Sequence, residues 1–546
     1  MLRRCMISTL SSSSLSRLGA YKHHHRNGGY VFSGSLNAVV DRSAAPPQQD
    51  GGSNYIPWLM GMQKHQQRFM PTQANPLDSA TRYKESNVKD EEMDAMRVEV
   101  MSRDHIKPSS PTPQNLKYYK LSILDQIEAP VYPPLMFFYQ NHHTNNDKNK
   151  IEETISLRSS LLKQSLSETL TRIYPSAGKL ASELHIDCND DGVYYIETRV
   201  DDRLDNMLNY KPDHKFLQQL IPVVDPSQQM LGSYVSMVQV NFFRCGGVCI
   251  TVQHNHQFAD GHSAMMFLKT WASIARGDPN QIYPSFMTSS MFPQNSQLPF
   301  SPYIPLWYLR VSPAFLKHGK PATARFVFDA LALQELKAKA SEHQPVSRVV
   351  AVLALLWKCV TVVTQSKPSI LHLPVNIRSK CSPRLPAHSI GNSIMGTYAK
   401  YDPDHHNSKD LEVASMAGQL KDAIEDVNVE SVDKLRSETE SGGEFVKSLR
   451  NSMETFSDYK TEYYLTTSLC NLGTKEADFG WGKPVWSCSG TQLNDDIPIF
   501  TNRMVLMDSC SGDGVEVWVT LEKQVMDIVK CNPELLSFAS VDPSPL

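Results

Sequence analysis

Residues 248–262 read VCITVQHNHQFADGH, an apolar β-prone run that gives way to three histidines, an aspartate and a glycine. The first five residues are rich in β-branched side chains, as a strand requires. Past Gly261, Ala264, Phe267, Leu268, Trp271 and Ala275 recur at steps of three and four. This spacing predicts an amphipathic helix, capped by Asp260 and stopped by Arg276-Gly-Asp-Pro279. The polar cluster therefore lies in a strand-to-helix turn, where rigid elements on both sides aim its side chains. Strand and helix patterns alternate along the rest of the chain, which points to an α/β fold.

Three chemistries fit the cluster. His254 and His256 share one face of a strand, and Asp260 or His262 could complete a metal site, although no other Cys/His cluster supports one. Alternatively, these histidines pack or cap, the plainer reading for His254 and His262. His256 opens an HxxxDG pattern, with an acid four residues on and a glycine where the backbone bends. An imidazole suits the removal of a proton from an alcohol that attacks a carbonyl. Spacing alone leaves all three open.

Bulk properties narrow the classes. A net charge of −3 over 546 residues argues against a broad basic face for nucleic acid. Ten cysteines are scattered without a CxxC pair, which predicts free thiols in a reducing compartment. The apolar run Val349–Trp357 is too short to cross a bilayer, and no membrane partner is expected. The first forty residues carry Arg3, Arg4, Arg17, Lys22 and Arg26 with no acid. That texture fits either a transit peptide or an upstream extension without a targeting role. Residues 1–105 are expected to be an extension, largely disordered or loosely attached.

Farther on, residues 151–174 have helical spacing, residues 184–197 suggest a hairpin, and two strands flank Gly246-Gly247. A proline-rich crossover, centred on 301–320, separates a domain over 106–300 from one over 321–546. The second domain should hold strands at 325–328, 369–375, 463–469, 503–507 and 515–519, helices from 331 and over 349–363, and a solvated charged segment over 430–462.

Two blocks more than two hundred positions apart carry a family likeness: His256-Gln-Phe-Ala-Asp260 with Gly261, and Asp478-Phe-Gly-Trp-Gly482. Weaker blocks occur in order, among them Leu121–Gln126, Tyr174–Lys179, Leu356–Cys359, Val375–Arg378, Gly391-Asn392 and Gly512–Gly514. From about Pro111 to Phe538 the chain resembles the plant BAHD acyl-CoA-dependent acyltransferases. Within them, Pro108–Pro113 and Ile186–Val193 look most like the alkaloid-acylating group.

The resemblance implies two similar chloramphenicol-acetyltransferase-like domains, each a mixed sheet with helices, around a central channel that admits acyl-CoA from one face and an acceptor alcohol from the other. It makes His256 the general base, and it pairs Asp260 with Arg378 to hold the imidazole in place. Asp478, Gly480, Trp481 and Gly482 become structural support, with Asp478 paired to a nearby basic residue. Thr467, Ser347 and Arg348 become contacts to acyl-CoA or the intermediate. No metal and no permanently bound cofactor is implied; acetyl-CoA is the expected co-substrate, and a hydroxyl of a bulky metabolite, an alkaloid foremost, the acceptor. A cytosolic monomer is implied, with plastid or mitochondrial import as the alternative. One departure stands out: Leu469 follows Thr467-Ser468 where the family has tryptophan, so an indole N–H is missing. That substitution keeps an inactive or binding-only paralogue as the second reading.

Overall fold

The computed structural model describes residues 97–141, 147–182, 184–212, 214–223, 232–296, 315–364, 367–406, 409–441, 460–489 and 499–545. The extension up to residue 96, residues 301–314 of the expected crossover and the charged stretch 442–459 lie outside them. The strands that build its two large sheets are β1 (Val98–Ile106), β2 (Pro134–Tyr139), β3 (Val193–Val200), β4 (Ser236–Phe243), β5 (Val248–His254), β6 (Pro321–Phe328), β7 (Ser369–Asn376), β8 (Ile394–Tyr401), β9 (Glu462–Ser468), β10 (Trp486–Cys488), β11 (Arg503–Asp508), β12 (Val515–Glu522) and β13 (Ser540–Val541). The helices that matter here are α1 (Ile123–Gln126), α2 (Lys148–Arg172), α3 (Gly261–Ala275), α4 (Ala330–Ala340), α5 (Arg348–Val363), α6 (Val413–Glu425) and α7 (Val429–Ser441).

One sheet has six strands in the order β1-β3-β4-β5-β2-β10, with β3 and β4 parallel and the other neighbours antiparallel. The other has seven in the order β8-β7-β9-β11-β12-β6-β13, with β9 parallel to both β7 and β11. Both are mixed sheets with helices, as expected. In the first, β4 and β5 are buried along their whole length, which is why Val248–Val252 shows no polar alternation. Their core continues into α2 and α3 through Leu162, Leu166, Phe267 and Trp271. In the second, α5 is buried almost all round, from Val350 to Trp357, and packs with Leu336 of α4 and Leu420 of α6. A helix apolar on every side belongs in such a place.

The structure departs from the sequence reading in four places. Residues 98–105 belong to the fold: β1 pairs antiparallel with β3. A register irregularity between Val100 and Ser102 breaks its period of two, and Val100 and Met101 face outward, so this edge strand carries little alternation. Residues 184–197 are not a hairpin. His185–Asp187 joins Tyr118–Lys120 and Lys179–Ser182 in a separate small sheet, whereas Val193–Val200 is β3. The turn between them has Asp190 at φ 63° and Gly192 at φ 99°. Asp190 fastens it by accepting from the Thr112 amide at 3.0 Å and the Thr112 hydroxyl at 2.6 Å, and by pairing with Lys117 at 2.5 Å. Strand β8, unrecognised in the sequence, lies at the edge of the second sheet, where Lys400 and Gly396 dilute the pattern. Finally, β10 pairs with β2 in the first sheet, so a single cut near residue 321 does not separate the two sheets.

Candidate active site

The turn after β5 is built by its own side chains. Asn255 donates its amide to Val235 O at 2.8 Å, and its side-chain oxygen accepts from the Gln257 amide at 2.9 Å. This side-chain turn lets the strand end without leaving amides unpaired. Asp260 then caps α3 by accepting from the Ser263 amide at 2.8 Å. Between the two, the His256 amide donates to Val131 O at 2.8 Å.

The three histidines part company here. His254 is buried, with Nδ1 2.7 Å from Ser236 Oγ, and burial pushes its imidazole down to about 3, so it is neutral. His262 donates from Nε2 to the Ala387 carbonyl at 2.8 Å, and burial lowers it too. The His256 side chain is 25% exposed, and its buried Nδ1 makes no hydrogen bond. Nε2 is therefore the nitrogen open to an approaching hydroxyl. Among the described residues, no group of three His, Cys, Asp or Glu side chains is placed to hold a metal ion.

Asp260 points away from the imidazole. Its Oδ2 accepts from Arg378 Nη1 at 2.7 Å and its Oδ1 from Nη2 at 3.0 Å, a bidentate pair with both side chains buried. Oδ2 also accepts from the Ser393 amide at 3.0 Å. Arg378 Nη2 donates further to Ser263 Oγ at 3.1 Å and Gly391 O at 2.8 Å. Burial pushes the Asp260 carboxyl up; the Arg378 charge and hydrogen bonds, with the two serine amides, outweigh it and hold the carboxyl below its ordinary range.

Beside this pair lies a second link, of which the sequence supplied only fragments. Asn392 Nδ2 donates to the His256 carbonyl at 2.7 Å and to Asp125 Oδ1 at 2.9 Å, and the Asn392 amide donates to the same oxygen at 2.7 Å. Asp125 closes a capping box with Ser122 at the start of α1. Burial raises its carboxyl to about 6 in spite of these donors. Two residues after α1, Glu128 brings Oε2 to 3.4 Å from His256 Nδ1. Burial pushes the Glu128 carboxyl up, and the His256 charge draws it back. No periodicity or motif marks Glu128 in the sequence. Ser122 with an acid three residues on was the one readable signal.

The Asp478–Gly482 loop lies elsewhere. Asp478 Oδ1 accepts from the amides of Gly480 at 2.8 Å and Gly482 at 3.0 Å, both glycines at positive φ, 102° and 109°. A basic partner was expected for the Asp478 carboxylate; Arg276 donates to the Asp478 backbone carbonyl instead. Phe479 is fully buried, edge-on to Trp271 at 5.1 Å. Trp481 is only partly buried, stacked on Phe479 at 5.5 Å with the Arg158 guanidinium 4.9 Å from its centre. Thr467 and Ser468 are exposed at the end of β9, and Leu469 is buried. A Cβ added to Gly261 would lie 2.6 Å from Leu469 Cδ2, so the absence of a side chain at 261 is what lets Leu469 sit against the start of α3. Ser347 caps α5 through the Val350 amide. Arg348 is committed to Asp508 and, at 2.7 Å, to Asn471 Oδ1. As placed, its guanidinium braces the protein's own loops.

A profile described as the Transferase family matches residues 96–536. The chain belongs to this family, the BAHD acyltransferases. The match starts at residue 96, just before β1, rather than near Pro111. Limonoid 7-O-acetyltransferase of Citrus sinensis is 35% identical over 83% of the chain and 100% of its own length. Akuammiline synthase 1 of Alstonia scholaris is 35% identical over 81% of the chain and 97% of its own length. The crystal structure of vinorine synthase superposes with a TM-score of 0.66 at 29% identity, over 82% of this chain and all of the other. As a BAHD enzyme, the protein is an acyl-CoA-dependent acyltransferase.

Breaking the buried pair from one side strands a charge. Asp260→Asn should cost about 3–5 kcal/mol of stability and should be partly relieved by adding Arg378→Met, both read from urea melts. The pair's contribution is complete above the ordinary carboxylate range, about pH 4, and is lost as pH falls through the lowered folded value. Asp260→Asn should therefore flatten the acid side of the stability profile. Separately, Gly261→Ala should destabilise by about 1–3 kcal/mol through overpacking, and Leu469→Val in the same chain should recover part of it. A purely additive double-mutant cycle would refute the Gly261–Leu469 contact.

Proposed function

We propose that this BAHD enzyme transfers an acetyl group from acetyl-CoA to a hydroxyl of a bulky polycyclic specialised metabolite, with His256 as the general base. The observation that carries this reading is the division of labour at the turn: Asp260 is fully engaged with Arg378, Ser263 and Ser393, while the His256 ring keeps one nitrogen open. His256 Nε2 takes the proton of the acceptor hydroxyl as its oxygen attacks the thioester carbonyl. The imidazolium then returns that proton to the departing CoA thiolate, so acyl transfer needs no covalent acyl-enzyme and no metal-bound water. Asp260 and Arg378 act as positioning residues, fixing the backbone that carries the imidazole. Thr467, exposed at the end of β9, offers a hydroxyl to the oxyanion. Reduced buried thiols such as Cys249, which burial pushes up to about 12, take no part.

The acceptor class is supported by relatives named for limonoid 7-O-acetylation and for akuammiline synthesis. An alkaloid alcohol is the first to try, beside a limonoid. The protein acts as a monomer in the cytosol; the Arg- and Ser-rich start of the chain makes organelle import the alternative, which N-terminal sequencing of the native protein would decide.

Thiol release from acetyl-CoA, followed with a panel of limonoid and indole-alkaloid alcohols, tests the reading. His256→Ala should lower turnover by about a hundredfold to ten-thousandfold with its melting temperature little changed. Undiminished release from that variant would overturn His256 as the base, and CoA binding without turnover on any acceptor would favour the inactive paralogue.

A further inference from the structure

We propose that Glu128 is a positioning residue for the acyl transfer, the carboxylate of a Glu128–His256 dyad that fixes the proton on Nδ1 and stabilises the imidazolium formed as the acceptor is deprotonated. This rests on His256 as the base. The aspartate of HxxxD cannot do the same work, because both its oxygens are turned to Arg378 and the Ser263 and Ser393 amides. His256 Nδ1 is buried without a hydrogen bond, and the nearest carboxylate oxygen is Glu128 Oε2 at 3.4 Å. That is ion-pair distance, and catalytic hydrogen bonds that are long in an unliganded site tighten in the reacting complex. The Glu128 and His256 side chains are each only 25% exposed, so the field between them is weakly screened.

The backbone holds the two groups in register. The Glu128 amide donates to Asp125 O at 3.2 Å, and the Asn392 side chain ties Asp125 to the His256 carbonyl. The other charged and titratable groups around the ring are accounted for: Asp260 is neutralised by Arg378, Asp125 is held by Ser122 and Asn392, His254 is bonded to Ser236, His262 to the Ala387 carbonyl, and Tyr132 to Ser233 and the Tyr234 carbonyl. Glu128 is thus the one carboxylate facing Nδ1 among the described residues. During the reaction the acceptor O–H bond breaks and its proton passes to Nε2. The positive charge that results is shared across the ring with Nδ1–H facing the Glu128 carboxylate. Return of the Nε2 proton to the CoA thiolate restores the neutral ring. Glu128 itself gains and loses no proton.

Two measurements on the full chain test this, using Glu128→Gln and Glu128→Asp beside His256→Ala. The first needs no acceptor: diethyl pyrocarbonate modifies neutral imidazole, and peptide mass spectrometry follows residue 256 as a function of pH. Glu128→Gln should move the midpoint of His256 modification to lower pH by about one unit, since an opposite charge that close shifts such a group by about that much or more. Glu128→Asp should keep most of the wild-type midpoint. The second is thiol release from acetyl-CoA: Glu128→Gln should lower kcat about tenfold to a hundredfold with KM for acetyl-CoA unchanged, and move the acid limb of kcat/KM the same way. An unmoved midpoint in Glu128→Gln overturns the dyad. So does a variant with normal kcat and a raised KM confined to amine-bearing acceptors, which would make Glu128 an acceptor contact. Full release by His256→Ala would instead remove the base, an outcome distinct from either.

Discussion

The fold turns on the buried contact between Asp260 and Arg378. Asp260 begins α3 in the first sheet's half of the molecule, and Arg378 follows β7 in the second sheet's half. Desolvating both charges costs several kcal/mol each, which their attraction and hydrogen bonds must offset, so such a pair adds little net stability over an apolar contact. What it adds is uniqueness. Two carboxylate oxygens, the two Nη groups of one guanidinium, the Ser263 and Ser393 amides and the Gly391 carbonyl are paired with one another in one arrangement of the two lobes. A slipped interface would strand a charge in the interior. Because His256 lies four residues before Asp260, the same contact sets where the imidazole stands relative to residues from the other lobe.

A second fastening joins the two sheets. The chain leaves β9, packs Leu469 under α3, rounds the Asp478–Gly482 loop and adds β10 to the first sheet before returning to β11. Trp486 in β10 stacks on Phe138 of β2 at 4.9 Å and donates through Nε1 to Glu516 of β12 at 3.3 Å. Glu516 also pairs with Arg325 of β6 at 2.7 Å, with both side chains almost wholly buried. One indole therefore contributes apolar area to one sheet and a hydrogen bond to the buried ion pair of the other. The Asp478 loop is what turns the chain into that strand, and its glycines at positive φ let two amides converge on one carboxylate oxygen. Beyond its internal bonds, the loop packs Phe479 and Trp481 against Tyr139, Trp271 and Arg158 of the first sheet's half.

Legibility in the sequence followed burial and locality. The Val248–His254 strand, the α3 helix with its Asp260 cap, the enclosed α5 helix and most strands of the second sheet were readable, since each is a contiguous pattern that packing does not override. Edge strands were not: β1 carries a register irregularity, β8 carries exposed polar residues, and β10 is three residues long. The false hairpin at 184–197 shows a different limit. A turn rich in Asn, Asp and Gly announces a reversal, but which sheet each arm joins depends on partners far away in the chain, Tyr118–Lys120 for one arm and β4 for the other. At the site, His256, Asp260 and Arg378 came from motif and resemblance. Asn392 stood in a recognised block without a role, and Glu128 had no local signature at all.

The two acids near His256 are separated by what else they touch. Asp260 is deeply buried yet ionised, because a guanidinium and two amides outweigh its burial. It has no free lone pair with which to face the ring. Glu128 lacks such donors; burial drives its carboxyl up, and the imidazole is the charge that draws it down. An acid so placed is stabilised as a carboxylate to the extent that the ring is positive, and the ring is stabilised as a cation to the extent that the acid is ionised. Such reciprocity strengthens once the acceptor's proton has moved to the ring. It is the differential, larger in the transition state than in the ground state, that contributes to rate. The Asp260 carboxylate is charge-compensated by Arg378 and has both oxygens engaged elsewhere, so it offers the ring no hydrogen bond as the charge develops. In the proposed mechanism the two acids divide positioning in space from stabilisation of charge, and only the first of those tasks is written in the HxxxD motif.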